Sequence, residues 1–136
     1  MAVVEQLLRV EEDGSISFGN HTLNSKQKVE DFEFAGDLMK VKTYQKITKL
    51  EKNGMFVYES VPGTSVFHFE ETSQGISFTV SGNEDAQITL DLAEETEYEV
   101  WIRGESIGKM KTNLGGKLNI SVEFADDEEV LVKVVG

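Results

Sequence analysis

Two segments near the C-terminus alternate apolar and polar side chains with a period of two residues. They are residues 98–102 (YEVWI) and 118–124 (LNISVEF). Residues two apart on a β-strand point to the same side of a sheet, so each segment presents one apolar face and one mostly polar face. The pattern predicts strands of a packed antiparallel sheet with these side chains turned inward: Tyr98, Val100, Ile102, Leu118, Ile120, Val122 and Phe124.

Turn-forming residues recur at short intervals along the rest of the chain. Asn53-Gly54 is the strongest hairpin signal, because both central residues of a type I′ turn take positive φ. Further turns are predicted at Asp13-Gly14, at Ala35-Gly36 and at Pro62-Gly63, the last as a type II turn. Turns spaced roughly 8–12 residues apart are typical of an all-β sandwich.

The predicted fold is therefore all-β: a single antiparallel β-sandwich domain over residues 1–136, with about ten to twelve short strands. A jelly-roll arrangement is one form that this sandwich can take. The segment 130–135 (VLVKVV) is apolar on both faces apart from Lys133, which predicts a central strand.

The formal charge of −12 limits the partners that the chain can have. Such a charge opposes non-specific binding to nucleic acid or to an anionic membrane surface, so neither is an expected partner. No stretch approaches the roughly 20 apolar residues of a membrane-spanning helix, and the first residues lack the pattern of a signal peptide. These features predict a cytoplasmic protein. The absence of cysteine excludes disulfides and thiolate ligands.

The charge is distributed unevenly along the chain. Residues 40–52 carry five lysines and one acid, whereas residues 84–129 carry thirteen acids and four bases. A basic patch on an acidic protein can meet an anionic ligand or the acidic end of a second copy. The interpretation that we favour is that these lysines protect an exposed or edge strand from pairing with other chains.

Few residues offer catalytic or metal-binding chemistry. The chain has two histidines, His21 and His68, whereas a cupin-like metal site usually needs two or three histidines and a carboxylate. The acids cluster in turns, which favours solvated carboxylates over an acid–base pair with one raised pKa. We therefore predict no catalytic residue, no metal ligand and no cofactor. Weak calcium binding by acidic turns such as 83–85 and 126–129 is the alternative.

Trp101 is the side chain that most suggests a binding role. Alternation places it on the same face as Glu99 and Arg103, opposite the inward residues of that segment. If residues 104–108 form a hairpin loop, Lys111 lies across from Trp101 and can rest on its indole ring. Trp101, Arg103, Lys111 and Glu99 thus form the candidate ligand-binding face, suited to a sugar, an anionic ligand or a subunit contact. The alternative is that a loop or a second sheet covers Trp101.

The C-terminal part of the chain resembles bacterial immunoglobulin-like and carbohydrate-associated β-sandwich modules. The shared pattern includes Tyr98-x-Val100-x-Ile102-x-Gly104, Thr112-Asn113 and the alternation that follows Gly116. It covers about a quarter of the chain and implies turns and core positions, and therefore a fold.

The whole chain also resembles short, uncharacterised bacterial all-β proteins that sometimes carry the label endosialidase. The resemblance rests on residues 14–19 (GSISFG), 53–63 (NGMFVYESVPG) and 97–100 (EYEV). Sialidases typically clamp the substrate carboxylate with three arginines, and this chain has two, Arg9 and Arg103. No catalytic residue is carried over from the resemblance.

The sequence favours a non-enzymatic binding or structural module that associates with itself as a homo-oligomer. A carbohydrate-binding or small-ligand-binding sandwich, with Trp101 and nearby tyrosines as a platform, is the first alternative. A small hydrolase or metal-assisted enzyme that uses His68 and carboxylates at strand ends is the second.

Overall fold

The structure is a computed structural model that describes residues 2–126 and 128–136. Met1 and Asp127, the latter within the predicted acidic turn at 126–129, lie outside the described residues. The described residues form 13 strands and no helix. The strands are β1 (Leu8–Val10), β2 (Ile16–Phe18), β3 (Gln27–Phe34), β4 (Asp37–Tyr44), β5 (Ile47–Lys52), β6 (Met55–Val61), β7 (Thr64–Thr72), β8 (Gly75–Gly82), β9 (Ala86–Asp91), β10 (Glu97–Ile102), β11 (Glu105–Lys111), β12 (Lys117–Val122) and β13 (Val130–Val135).

The strands form two antiparallel sheets. Sheet A has seven strands in the order β1-β2-β7-β8-β13-β10-β11, and sheet B has six in the order β12-β9-β6-β5-β4-β3. The predicted all-β sandwich is confirmed. The thirteenth strand, one more than expected, is β11, which lies where a loop over residues 104–108 was predicted.

The connections combine a meander with a jelly-roll feature. Strands β3 to β6 follow one another within sheet B. By contrast, the chain crosses from one sheet to the other between β8 and β9 and again between β12 and β13. Strand β8 pairs with β13 in sheet A, and β9 pairs with β12 in sheet B. A two-stranded ribbon that wraps across both sheets is the jelly-roll arrangement, and here the pairing of β10 with β11 in sheet A continues it, so that it includes the six strands β8 to β13.

The core consists of the inward residues of both sheets. The predicted inward face is confirmed, because five of its seven residues are buried: Tyr98 and Val100 of β10, and Leu118, Ile120 and Val122 of β12. The other two, Ile102 and Phe124, are partly buried and pack against this core.

Strand β13 lies between β8 and β10 in sheet A, as predicted for a central strand. Its residues Val130, Val132 and Val134 are buried, while Leu131, Lys133 and Val135 point to the other face.

Two of the predicted turns illustrate what the sequence can and cannot predict. Asn53 and Gly54 have φ of 52° and 83°, as a type I′ turn requires. The type II turn at Pro62-Gly63 is wrong, because Gly63 does not have the positive φ of that turn; the Val61–Pro62 bond is cis. Gly63 is needed for space instead, since a Cβ there would lie 1.9 Å from the carbonyl oxygen of Tyr44.

The lysines of residues 40–52 lie mostly on the outer face of sheet B. Their strands, β4 and β5, are internal, so these lysines do not guard an edge strand. Acids pair with three of them. Lys40 Nζ lies 3.5 Å from Glu30 Oε1 and 4.0 Å from Glu51 Oε2, Lys49 Nζ lies 4.0 Å from Glu51 Oε1, and Lys52 Nζ lies 3.1 Å from Glu71 Oε1. This surface therefore has mixed charge rather than a basic patch.

Candidate functional site

The outer face of sheet A around Trp101 is the candidate functional site. The antiparallel register of β10 and β13 places Trp101 opposite Lys133 and Glu99 opposite Val135. Because alternate residues of β13 are buried in the core, Leu131, Lys133 and Val135 share the outer side with Trp101. We call these five residues, Glu99, Trp101, Leu131, Lys133 and Val135, the Trp101 face.

The Trp101 face has three apolar side chains, one cation, Lys133, and one carboxylate, Glu99. Leu131 is 40% exposed and Val135 is 38% exposed, while Trp101 is half-buried, so its indole is neither fully covered nor fully free. A shallow depression of about 270 Å³ is lined by Trp101, Gly104, Leu131, Lys133 and Val135. Within the described part of the chain, Lys133 has no ion-pair or hydrogen-bond partner for its ammonium group. Such a surface favours burial against a partner.

Arg103 lies next to this face but is already engaged. It occupies the turn between β10 and β11 with φ of 56°, followed by Gly104 with φ of 81°. Its guanidinium donates hydrogen bonds of 2.8 Å and 2.8 Å to the two carboxylate oxygens of Glu128, and a further one to the carbonyl oxygen of Glu123. Arg103 therefore fastens the segment before β13 to the β10–β11 turn, and its bidentate donors are not free for an anionic ligand.

The ion pair between Arg103 and Glu128 predicts a dependence of stability on pH. The hydrogen bonds from Arg103 lower the pKa of Glu128 to about 2, from 4.5. A carboxyl whose pKa is depressed in the folded state stabilises that state above its unfolded pKa, and the contribution disappears as the pH falls through the folded value. We expect Glu128→Gln to lower the thermal midpoint at neutral pH, and the difference from the wild type to shrink between about pH 4.5 and pH 2.

Thermal unfolding followed by circular dichroism at a series of pH values measures this difference. Glu84→Gln is a suitable control, because the Glu84 carboxylate has no hydrogen-bond or ion-pair partner among the described residues. A difference in thermal midpoint between wild type and Glu128→Gln that stays constant down to pH 2 would contradict the prediction.

The predicted contact of Trp101 with Lys111 is not formed. Lys111 lies opposite Glu97 in the β10–β11 hairpin, whereas Trp101 lies opposite Ser106, so the expected packing of Lys111 on the indole is wrong. The physical reason is the tight turn at Arg103-Gly104, which starts β11 at residue 105 instead of leaving a loop over 104–108. Glu99 does belong to the face, where its carboxylate accepts a hydrogen bond of 2.7 Å from Ser106 Oγ.

The tyrosines do not extend Trp101 into an aromatic platform. Tyr98 is 7% exposed and faces the core from β10, and Tyr58 is fully buried among the core aromatic rings. Tyr44 belongs to β4 in sheet B. Trp101 is therefore the single aromatic side chain among the five residues of the Trp101 face.

His68 lies in a polar cluster that sequence reasoning did not find. Its Nδ1 is 2.9 Å from Asp13 Oδ2 and 3.2 Å from Ser15 Oγ, and its Nε2 is 3.6 Å from Glu11 Oε2. The backbone N–H of His68 donates to Ser17 Oγ at 3.1 Å. These partners precede His68 by more than 50 residues, and the pairing of β2 with β7 brings them together.

The geometry of the His68 cluster does not match that of a hydrolase. Ser15 is buried and its hydroxyl donates to Asp13 Oδ1 at 2.5 Å, so it is not presented to a substrate. The hydrogen bonds from Ser15 lower the pKa of Asp13, whereas a general acid needs a raised value. Because the carboxylates of Asp13 and Glu11 approach opposite nitrogens of the ring, they do not converge on one metal position with it. The cluster ties residues 11–17 to β7.

Residues 2–126 and 128–136 contain no group of three His, Cys, Asp or Glu side chains arranged to hold a metal ion. Over the same residues, no helix has the length and hydrophobicity to cross a membrane.

Comparison of the chain with models of protein families, with curated proteins and with solved structures finds no match. The class that fold and site together define is an open β-sandwich with one exposed apolar face. The resemblances to carbohydrate-associated modules and to endosialidase-labelled proteins stay predictions.

Proposed function

We propose that this chain is a non-enzymatic binding or structural module that associates with a second copy of itself through the Trp101 face. The observation that carries the proposal is the apolar surface formed by the exposed Leu131 and Val135 and the half-buried Trp101 on the outer face of sheet A. Protein surfaces of this kind usually lie in interfaces, since burying them removes apolar area from water.

The residues of the face are complementary to themselves. Four of them form the corners of a nearly square patch: Glu99 and Trp101 on β10, with Val135 and Lys133 opposite them on β13. Neighbouring strands lie about 4.8 Å apart, and residues two apart on one strand lie about 6.7 Å apart. In the proposed dimer, two copies pack face to face. They are related by a two-fold axis that lies in the plane of the interface, along the diagonal from Trp101 to Val135. Trp101 then meets Trp101 of the second copy, Val135 meets Val135, and each Glu99 meets the Lys133 of the other copy.

This arrangement accounts for the charges on the face as well as for its apolar residues. Lys133 gains in the second copy the anionic partner that it lacks within the described chain. Because the diagonal makes an angle of about 36° with the strands, the strands of one copy cross those of the other at about 70°, close to orthogonal sheet packing. A two-fold interface of this kind closes on itself and predicts a dimer rather than a filament.

A charge exchange at Lys133 and Glu99 tests the proposal. We expect the wild type to form dimers in sedimentation velocity, and Lys133→Glu to weaken the dimer at least about tenfold, because like charges then face each other. The double variant Glu99→Lys with Lys133→Glu restores the opposite charges in exchanged positions, so the dimer returns. Trp101 is the only tryptophan, and its emission should shift to longer wavelength as the dimer dissociates on dilution.

Lys46→Glu is the matched control, since Lys46 is an exposed lysine in the turn between β4 and β5 of sheet B and does not belong to the Trp101 face. It should leave the dimer unchanged. A wild type that stays monomeric at millimolar concentration would contradict the proposal. A monomer whose Trp101 emission responds to oligosaccharides would instead identify the face as a carbohydrate site.

A further inference from the structure

Each sheet has two edge strands, and three of these four edges carry a feature that hinders pairing with a further strand. Strand β1 has only three residues. Strand β3 contains a bulge, where Asp31 has a φ of 54°, and β11 contains a bulge at Ile107, which its register with β10 leaves unpaired. The fourth edge is different: all six residues of β12 are described, and they contain no proline and no interruption of the register with β9. The sandwich therefore leaves one regular edge, that of β12.

The backbone groups that β12 presents at this edge follow from its register with β9. Leu92 and Gly116 continue that register, and the Leu92 N–H donates to the Gly116 carbonyl oxygen at 2.8 Å. Because hydrogen-bonded positions alternate in an antiparallel pair, the even-numbered residues of β12 direct their backbone groups to β9. The N–H and C=O groups of Asn119 and Ser121 therefore point to the edge.

Hydrogen bonds close both ends of this edge. At one end Asn113 Oδ1 accepts from the Lys117 N–H at 2.9 Å, and the Asn113 N–H donates to the Lys117 carbonyl oxygen at 3.1 Å. At the other end the Arg103 guanidinium donates to the carbonyl oxygen of Glu123. Among the described residues, no turn or side-chain hydrogen bond reaches the backbone groups that face the edge between Lys117 and Glu123. These groups can pair with a further strand.

Sheet A extends one strand further than sheet B on this side of the sandwich. Strands β5 and β7 face each other across the core: Thr48 Oγ1 donates to the Thr64 carbonyl oxygen at 2.7 Å, and Lys52 pairs with Glu71. Counted from these two strands, three further strands of sheet B end at β12, whereas four further strands of sheet A end at β11. In the described chain, β11 therefore has no strand opposite it in the place beside β12.

A groove of about 410 Å³ lies between the β10–β11 hairpin and the end of β12. Ile102 and Ile107 line it on the side of sheet A, and Ser121 and Glu123 line it on the side of sheet B. Ile107 is 55% exposed, although it belongs to the wall of a groove. A strand added beside β12 would direct alternate side chains between the sheets and cover this isoleucine.

We propose that the edge of β12 binds an extended, basic segment of a partner protein, which is added antiparallel to sheet B as its seventh strand. In this mode of recognition, backbone hydrogen bonds provide affinity and alternate side chains provide specificity. The groove carries Glu105 and Glu123, while its cation, Arg103, is already paired with Glu128. With a net charge of −12 on the whole chain, a basic segment is favoured over an acidic one.

A second sandwich does not fit at this edge, so the occupant is a single strand. The count from β5 and β7 places β10 opposite β12. If β12 of a second copy paired with this edge, its β10 would therefore lie in the place of β11. A single extended segment avoids this overlap. The proposal is independent of the Trp101 face, which lies on the outer side of sheet A.

Peptides that differ in the position of one N-methyl group test the proposal on the full chain. The probe acetyl-VKVTV-amide places its lysine opposite Ser121, within reach of Glu123, and its threonine opposite Asn119. N-methylation of the threonine removes an N–H that faces β12, whereas N-methylation of the central valine removes one that faces solvent. We expect the valine-methylated peptide to bind like the probe and the threonine-methylated peptide about tenfold or more weakly.

Binding is measured from ¹⁵N–¹H correlation spectra. We expect the amide signals of Asn119 and Ser121 to shift, with a Kd of about 1 mM for so short a segment. Acetyl-VEVTV-amide should bind about fivefold or more weakly than the probe. Equal binding of the two methylated peptides, equal binding of the lysine and glutamate peptides, or no shift of these two amides at about 10 mM probe would overturn the proposal.

Two protein variants test the contact inside the groove. Ile107→Ser should weaken binding of the probe about threefold to tenfold, because the peptide then covers less apolar surface. Leu38→Ser is the matched control: Leu38 is 47% exposed, lies on β4 and should be replaceable without effect on binding. Both variants replace exposed side chains, so both should fold, and the spectra of the free proteins verify this. The same affinity in both variants would contradict the proposal.

Lys133→Glu separates this edge from the Trp101 face. It changes that face alone, so it should bind the probe as the wild type does. If Lys133→Glu loses binding while Ile107→Ser retains it, the peptide binds the Trp101 face and the edge of β12 is not the site.

Discussion

Replacement of Thr64 by valine is expected to lower the free energy of unfolding by about 2–4 kcal/mol, although the two side chains have nearly the same shape. Thr64 Oγ1 lies 2.7 Å from the Tyr58 hydroxyl and 2.7 Å from Ser60 Oγ, and all three residues are fully buried. Burial raises the pKa of the Tyr58 hydroxyl, so that it stays protonated and able to donate. Valine leaves both hydroxyls without this partner in a region that water does not reach. Urea unfolding at neutral pH measures the loss as a lower midpoint with an unchanged slope.

Two further variants define how the result should be interpreted. Tyr58→Phe removes one hydroxyl and leaves Thr64 bonded to Ser60, so a smaller loss of about 1 kcal/mol is expected. Thr72→Val, at the exposed end of the same strand, removes a hydroxyl whose bonds to Gln74 N–H and to the Gly75 carbonyl oxygen can be replaced by water, so it should change stability by no more than about 0.5 kcal/mol. A Thr64→Val loss as small as that of Thr72→Val would mean that the buried hydroxyl network does not stabilise the fold.

Gly63→Ala is expected to destabilise the fold by about 3 kcal/mol or more, because no room exists for a methyl group. An ideal Cβ at this position would lie 1.9 Å from the carbonyl oxygen of Tyr44 and 3.0 Å from its carbonyl carbon. The Gly63 N–H also donates to the carbonyl oxygen of Gln45 at 3.0 Å, so the turn between β6 and β7 rests directly on the turn between β4 and β5. Since both neighbours are backbone, the clash requires movement of a whole turn.

Gly115→Ala is the matched substitution. The nearest atom to a Cβ at Gly115 is Asn113 Oδ1 at 3.5 Å, an ordinary contact, and its φ is not in the left-handed region. Its stability should stay within about 0.5 kcal/mol of the wild type in the same denaturant titration. A similar, small effect at both glycines would show that the two turns can separate without cost.

The fold was predictable because its signals are local. Alternation over 98–102 and 118–124 depends only on neighbouring residues, and the structure confirms the inward side of both segments. Strand β11 was not predicted, because its own sequence lacks such a local signal. Its sequence, ESIGKMK, has no apolar alternation, most of its residues are exposed, and Gly108 lies where the register with β10 shifts. Its turn, Arg103-Gly104, adopts the same left-handed backbone as Asn53-Gly54 but has an arginine where asparagine is the usual signal.

The candidate site was only partly predictable, because it depends on which strands become neighbours. Trp101 and Glu99 were identified from their own strand, but Lys133 joins them only because β13 pairs with β10. The alternation of 130–135 does indicate that Leu131, Lys133 and Val135 share one side of their strand, but it does not indicate that this strand lies beside Trp101. The partnership of Arg103 with Glu128 spans 25 residues, and no local pattern indicates it.

The position of β13 has a consequence for how the chain reaches its native state. Strands β1, β2, β7 and β8 form one part of sheet A, β10 and β11 form another, and β13 is the strand that joins them. Since β13 follows both parts in the chain, sheet A stays divided during synthesis until this strand has emerged. Until then the edges of β8 and β10 offer unpaired backbone groups beside apolar residues, which is the condition under which nascent sheets aggregate. The order of the strands therefore makes this protein most vulnerable to aggregation just before β13 is inserted into sheet A.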